Sequence, residues 1–296
     1  MTKKVLVLGC TGMIGHMIFR KLSERDGFDV YGTAREHDSL RTWFGADLMH
    51  KIMSDVDAMN MDSVLGILSS VKPDVVINCL GLIKQLPIED DPLSAIAVNS
   101  LLPHRIAKVC QIAGSRMIHM STDCVFRGDK GNYSDDAVSD AVDLYGRSKY
   151  LGEVSYPHCV TLRTSAVGHE LRGNYGLVEW FLAQEGAARG FKKVFFSGTT
   201  TAELGSIIAN YVLPNERMTG IYNVSSSSIS KYDFLKLLAA TYKKDIVIEP
   251  CDDVCLDRSL NSSMFRRSTG YVSPSWQELI EKMHDDYLVN YCRGHS

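Results

Sequence analysis

A short apolar strand followed at once by three evenly spaced glycines constrains this chain more than any other feature. Lys3 to Leu8 (Lys-Lys-Val-Leu-Val-Leu) reads as a strand buried on both faces. Gly9-Cys10-Thr11-Gly12-Met13-Ile14-Gly15 follows without a gap, and an amphipathic stretch runs on to about Arg25. In that order the first glycine lets the chain turn and the second lets the backbone approach a pyrophosphate. The third lets the helix pack closely on the sheet. The helix N-terminus then offers free N–H groups and a partial positive charge to phosphate.

The second strand, about Phe28 to Thr33, runs into Gly32-Thr33-Ala34-Arg35. An acidic residue there would take the ribose hydroxyls of NAD, and none is present. Thr33 and Arg35 instead suit a 2′-phosphate, which predicts NADPH (NADP) rather than NADH. Asp55-Val56, after the expected third strand, is placed to bracket the adenine.

Strand and helix patterns alternate through the first half. Strands are expected at Asp74 to Asn78, Arg116 to Met120 and Cys159 to Arg163. Ile106, Val109, Cys110 and Ala113 mark one helical face, and 143–154 reads as another helix. The fold class predicted is α/β, a Rossmann-type doubly wound parallel sheet with ligands at the carboxyl ends of its strands and a smaller α/β C-terminal substrate lobe. Residues 1–165 form the nucleotide domain in this reading, its sheet completed by about 194–224, and residues 166–193 and 225–296 form the lobe. Within them, 174–188 reads as a helix with an aromatic stripe (Tyr175, Trp180, Phe181) of core character. Residues 194–196 and 221–224 read as strands, and 202–211, 231–242 and 275–286 as helices.

The net charge of -3 and the lack of a basic tract argue against a nucleic-acid partner. No apolar run approaches the roughly 20 residues of a membrane span. The chain enters a strand directly, with no secretory signal, and a cytoplasmic location is expected. Eight scattered cysteines fit reduced thiols. Cys251 and Cys255 flank two aspartates, but no nearby histidine completes a zinc set, so no metal is expected.

The chemistry is carried by Tyr145-Gly146-Arg147-Ser148-Lys149 and by Ser121-Thr122-Asp123 upstream. Four residues apart on a helix, Tyr145 and Lys149 share a face. An ammonium beside a phenol favours the phenolate and lowers its pKa, giving a proton donor usable near neutrality. Thr122 supplies a second hydroxyl to the same oxygen. The set suits hydride transfer to or from a carbonyl.

With these motifs the chain resembles the extended short-chain dehydrogenases/reductases that act on nucleotide sugars, and within them the dTDP-4-dehydrorhamnose reductase family. Beside the glycine triplet, the likeness is carried by Asn78 in Ile-Asn-Cys-Leu-Gly, Asn99, Ser121 to Phe126, Tyr145-x-x-x-Lys149, Arg163-Thr164-Ser165 and Arg258-Ser259-Leu260-Asn261. The resemblance implies Tyr145 as proton donor, Lys149 as its partner and Thr122 on the sugar carbonyl. It implies a cofactor site made by Gly9, Thr11, Gly12, Met13, Ile14, Gly15, Arg35, Asp55, Val56, Cys79, Leu80, Gly81 and Asn99 with Tyr145 and Lys149. Lys84, Asp123, Cys124 and Arg258 would face a nucleotide-diphosphate sugar. A C4 ketone of a 4-keto-6-deoxy sugar is the implied target, and relatives of this kind often form homodimers.

Three departures bear on the substrate. Cys124 stands where that family usually has tyrosine, Ala166 where it has an aromatic residue, and Leu82-Ile83-Lys84-Gln85 differs in character. The position of Cys124 is glutamate in the related 4,6-dehydratases, so elimination is not expected. A branch that epimerises before reducing does place cysteine there, with Lys84, His169 or Glu179 as second group. A buried hydrophobe is the plainer reading of Cys124, and a structural histidine that of His169. A regulatory subunit that binds NADP without turnover is the remaining alternative.

Overall fold

The computed structural model describes residues 2–36, 40–83 and 91–291. Strand β1 (Lys3–Leu8) explains the architecture in miniature. Val5, Leu6, Val7 and Leu8 are all fully buried, so both faces of the strand are covered, as in a parallel sheet between two helical layers. The sheet has seven strands: β1, β2 (Phe28–Thr33), β3 (Ile52–Met53), β4 (Val75–Asn78), β5 (Arg116–Thr122), β6 (Cys159–Thr164) and β7 (Gly220–Asn223). Their order is β7-β6-β5-β4-β1-β2-β3. The pairs β1–β2, β1–β4, β2–β3 and β4–β5 are parallel. The order reverses between β1 and β4, which is where a doubly wound sheet opens a crevice at its carboxyl ends.

Helix α1 (Met13–Ser23) buries seven of its eleven residues. On the face carrying Leu6 and Leu8, α2 (Met61–Val71) contributes Val64, Leu68 and Val71, and α3 (Leu102–Ala113) contributes Ile106 and Cys110. Each such side chain contributes roughly 1.5–3 kcal/mol by leaving water. The α2 start is capped by Asn60, and its end is a left-handed Lys72. Helix α4 (Leu144–Leu151) starts where the Asp143 carboxylate accepts the Gly146 N–H at 2.7 Å, a cap worth about 1 kcal/mol.

The chain divides into two compact units. The first holds Met1–Ser121, Val142–Leu162 and Gly205–Ile221, and the second Thr122–Ala141, Arg163–Leu204 and Tyr222–Ser296. The second unit has small sheets in place of one large one. Its core gathers Phe181, Phe196, Phe234 and Trp276. The last three rings meet edge to face at 5.3–5.4 Å, the arrangement their quadrupoles favour. The Trp276 N–H donates to Ser227 O at 2.7 Å. A capping box of Ser275 and Glu278 starts the helix Trp276–Asn290.

Several elements depart from the sequence reading. Of 174–188, only Leu177–Leu182 is helical. Gly186, with φ of +68°, turns the chain into the strand Ala187–Phe191, which pairs in parallel with Val247–Cys251. Phe181 is core, but Tyr175 and Trp180 are 49% and 37% exposed, so the aromatic stripe is not a core stripe. Val194–Phe196 pairs with Ile229–Ser230 and Leu256–Asp257; of the 194–224 stretch, it is Gly220–Asn223 that joins the seven-stranded sheet. Segment 122–141 groups with the second unit although it precedes residue 165. Among the described residues no helix is long and apolar enough to cross a membrane, and no cluster of His, Cys, Asp or Glu has the make-up of a metal site.

Candidate active site

The glycine loop joins β1 to α1. Gly9 has φ of +79°, a conformation that disfavours any side chain. A Cβ on Gly15 would lie 2.1 Å from Gly9 O, so only glycine lets α1 sit so close to the loop. Gly12 is the N-cap residue of α1, no side chain caps the helix, and its first turn carries no acidic residue. That end presents N–H groups and the positive end of the dipole, the arrangement a diphosphate requires. Gly9 N–H donates to Thr33 Oγ1 at 3.0 Å. Thr33 is therefore buried and holds the loop, while Arg35 is the exposed cation at the end of β2. Asp55 takes φ of 62°, and backbone bonds Asp55 N–Arg35 O (3.4 Å) and Val56 N–Ala34 O (3.1 Å) fasten these two loops together. The residues of the loop thus fit the diphosphate of a dinucleotide.

Beyond β4, Cys79 N–H continues the ladder to Leu8 O at 3.0 Å. The next turn is held by Asn99, which lies in a π-helical turn, Ile96–Leu101, ahead of α3. Asn99 Oδ1 accepts the Leu82 N–H at 2.8 Å, and its Nδ2 donates to Leu82 O and to Ser148 Oγ, both at 3.2 Å. Its amide is occupied by the protein, so Asn99 positions the Cys79–Gly81 turn and α4. A Cβ on Gly81 would come within 3.7 Å of Lys149 Nζ. The glycine leaves the lysine beside this turn.

Lys149 is 6% exposed and donates from Nζ to Met120 O at 2.8 Å. Burial draws its ammonium down to about 8, against the opposing pull of Glu153 and Cys79. Burial likewise pushes the Cys79 thiol up to about 12, so it stays protonated. Glu153 accepts the Ser121 hydroxyl at 2.7 Å. Tyr145 is half-buried one helical turn before Lys149. Beneath them, Asn78 and His119 meet at 3.1 Å on adjacent strands. Burial holds His119 well below the usual histidine range, and it is neutral.

Thr122 is where the chain passes from the first unit to the second. Within the second unit its Oγ1 accepts the Cys124 N–H at 3.1 Å and donates to Asp123 Oδ1 at 3.2 Å. Arg258 donates from Nε to Phe126 O at 2.9 Å and from Nη1 to Cys124 Sγ at 3.9 Å. Burial pushes the Asp123 carboxyl up, against the charge of Arg258 and hydrogen bonds from Thr122, Ser165 and Cys124. Asp123, Cys124 and Arg258 therefore form one contiguous group. Lys84 lies outside the described residues. His169 is 2% exposed, between Glu179 Oε1 at Nδ1 (2.5 Å) and the Tyr242 hydroxyl at Nε2 (2.7 Å).

A family model described as the RmlD substrate binding domain matches residues 3–289. The chain belongs to this family. A probable low-salt glycan biosynthesis reductase, Agl14, of Haloferax volcanii is 30% identical over 77% of this chain and 76% of its own. The dTDP-4-dehydrorhamnose reductase of Escherichia coli K12 is 25% identical over 96% and 98%. Among solved structures, dTDP-4-dehydrorhamnose reductase (rfbD) from Bacillus anthracis str. Ames in complex with NADP has a TM-score of 0.78 at 22% identity, covering 97% of this chain and 100% of that one. That last likeness establishes the shared fold.

In this RmlD-family chain some contributors escaped the sequence reading. Ser148 takes the Asn99 amide, Glu153 anchors Ser121, and Ser165 bonds Asp123. Ser148 sits inside the Tyr-x-x-x-Lys element and Ser165 inside Arg-Thr-Ser, so both were within view. Glu153 has no local signal, because its partner is 32 residues away.

Proposed function

We propose that this protein is an NADPH-dependent reductase of the C4 ketone of a nucleotide-linked 4-keto-6-deoxy sugar, serving deoxysugar and polysaccharide biosynthesis. The observation that carries this reading is Lys149: a buried ammonium tied to Met120 O, beside the Gly81 turn and one helical turn from Tyr145. When bound, NADPH supplies the hydride. The glycine loop and α1 N-terminus would hold its diphosphate, and Arg35 its 2′-phosphate. Tyr145 gives a proton to the ketone oxygen as charge develops there, and Thr122 hydrogen-bonds the same oxygen. Lys149 keeps Tyr145 acidic enough for that transfer. Arg258 and Cys124 would lie against the nucleotide sugar.

Simple reduction is favoured over reduction with epimerisation. Two of the groups considered as a second acid or base, His169 and Glu179, are hydrogen-bonded to each other, and Cys124 is engaged by Arg258 and Asp123. The test is NADPH oxidation with a panel of nucleotide 4-keto-6-deoxy sugars in deuterated water, with NMR of the products. NADPH loss without deuterium at C3 or C5 is expected. Deuterium at either carbon would make Cys124 an epimerisation residue, and no oxidation with any sugar would overturn the reductase reading.

A further inference from the structure

A threonine hydroxyl has one proton and two acceptor positions, and at Thr122 the proton is already engaged. Oγ1 accepts the Cys124 N–H and donates to Asp123 Oδ1. If Asp123 is a carboxylate, it keeps that proton, and Thr122 turns only a lone pair toward a ketone oxygen. Two acceptors then face each other, which is repulsive. Thr122 donates to a ketone without turning a lone pair on a carboxylate only when its bond to Asp123 runs the other way.

The surroundings of Asp123 favour that reversal. The residue is 5% exposed and Thr122 is 8% exposed. A buried carboxylate is costly without a close cation. The cation acting on it, Arg258, donates from Nε to Phe126 O and from Nη1 to Cys124 Sγ rather than to the carboxyl. Burial accordingly pushes the Asp123 carboxyl up.

We propose that Asp123 is a positioning residue that works as a neutral acid, its hydroxyl donating to Thr122 Oγ1 so that the Thr122 proton turns to the substrate ketone. The inference rests on the reductase reading above. No proton changes owner in this relay. Asp123 O–H and Cys124 N–H fill the two acceptor positions of Thr122, and Thr122 O–H meets the ketone. Tyr145 remains the group that transfers a proton. A protonated carboxyl still has acceptor positions for Ser165 and Cys124.

Two measurements test it together. Infrared difference spectra between wild type and Asp123→Asn should show the carbonyl stretch of a protonated carboxyl at neutral pH, and Thr122→Val should displace that band. The amide of Asp123→Asn donates at every pH. The ratio of kcat/KM in this variant to wild type should therefore rise by about tenfold per pH unit above the titration of Asp123. Taking the ratio cancels the Lys149 titration common to both. A spectrum with only carboxylate bands at neutral pH overturns the proposal, and so does a ratio flat with pH, which is what a purely structural aspartate gives. Wild type that turns over no nucleotide sugar overturns the reductase reading and leaves the infrared band as sole judge of the proton on Asp123.

Discussion

In the first unit a buried lysine, Lys149, stands beside the Gly81 turn, and in the second a buried acid, Asp123, stands beside Thr122. Burial pushes both toward neutrality, so it moves their titrations in opposite directions: Lys149 down to about 8, Asp123 up. Their functional demands nevertheless coincide. Under the proposed function Lys149 would support Tyr145 while it is charged, and Asp123 would serve Thr122 while it is protonated, so rising pH would remove both. Their effects on stability are opposed. A buried lysine of lowered pKa opposes folding on the acid side of its titration, whereas a buried acid of raised pKa opposes folding on the alkaline side. The two buried groups thus oppose folding at opposite ends of the pH scale.

The comparison can be broken at its most sensitive point by Tyr145→Phe. Turnover should fall by about 10²–10⁴-fold, with NADPH affinity nearly unchanged in a fluorescence titration. Full activity would remove Tyr145 from the mechanism. Lys149→Met comes next. Wild type has the lysine's favourable contribution above about pH 10.5 and loses it as pH falls through about 8. Relative to wild type, the variant should therefore gain about 3 kcal/mol between alkaline and neutral pH, read by urea unfolding at each pH. A difference that does not vary with pH would show that Lys149 is not depressed. Asp123→Asn supplies the mirror image. Wild type should lose stability as pH rises through the raised Asp123 titration, and the variant should not. The same urea series detects it.

Smaller effects sharpen the contrast between buried and exposed charge. Arg35→Ala removes an exposed cation, so unfolding should move by less than about 0.5 kcal/mol. The preference for NADPH over NADH should fall by about 10–100-fold, measured as the ratio of the two kcat/KM values. An unchanged ratio would place the 2′-phosphate elsewhere. Asp143→Ala deletes the α4 cap and should cost about 1 kcal/mol of stability, checked by the same unfolding measurement.

The first unit was legible in the sequence because its central strands β1, β4, β5 and β6 are buried on both faces and α1 follows β1 at once. β1, the glycine loop and α1 are one local pattern, and α4 carries Tyr145 and Lys149 with an aspartate cap. The second unit was less legible because its strands are short and take their conformation from distant partners. Ala187–Phe191 is a strand through its pairing with Val247–Cys251, about 60 residues on. The site divides the same way. Tyr145, Lys149 and the glycines follow from spacing, whereas the protein-facing role of Asn99, the anchoring of Ser121 by Glu153 and the proton count at Thr122 need coordinates.

The division into units also governs how the chain can be made. The boundary is crossed at 121/122, 141/142, 162/163, 204/205 and 221/222, so neither unit is a continuous stretch. The edge strand β7 of the first sheet lies at Gly220–Asn223. On a ribosome adding about 5–20 residues per second, the sheet begun by β1 waits on the order of tens of seconds for that edge to emerge. During that time the most apolar strands of the molecule have no finished sheet to join. Lys3 and Lys4 put two cations at the head of β1, the kind of residue that blunts strand association before a sheet is complete.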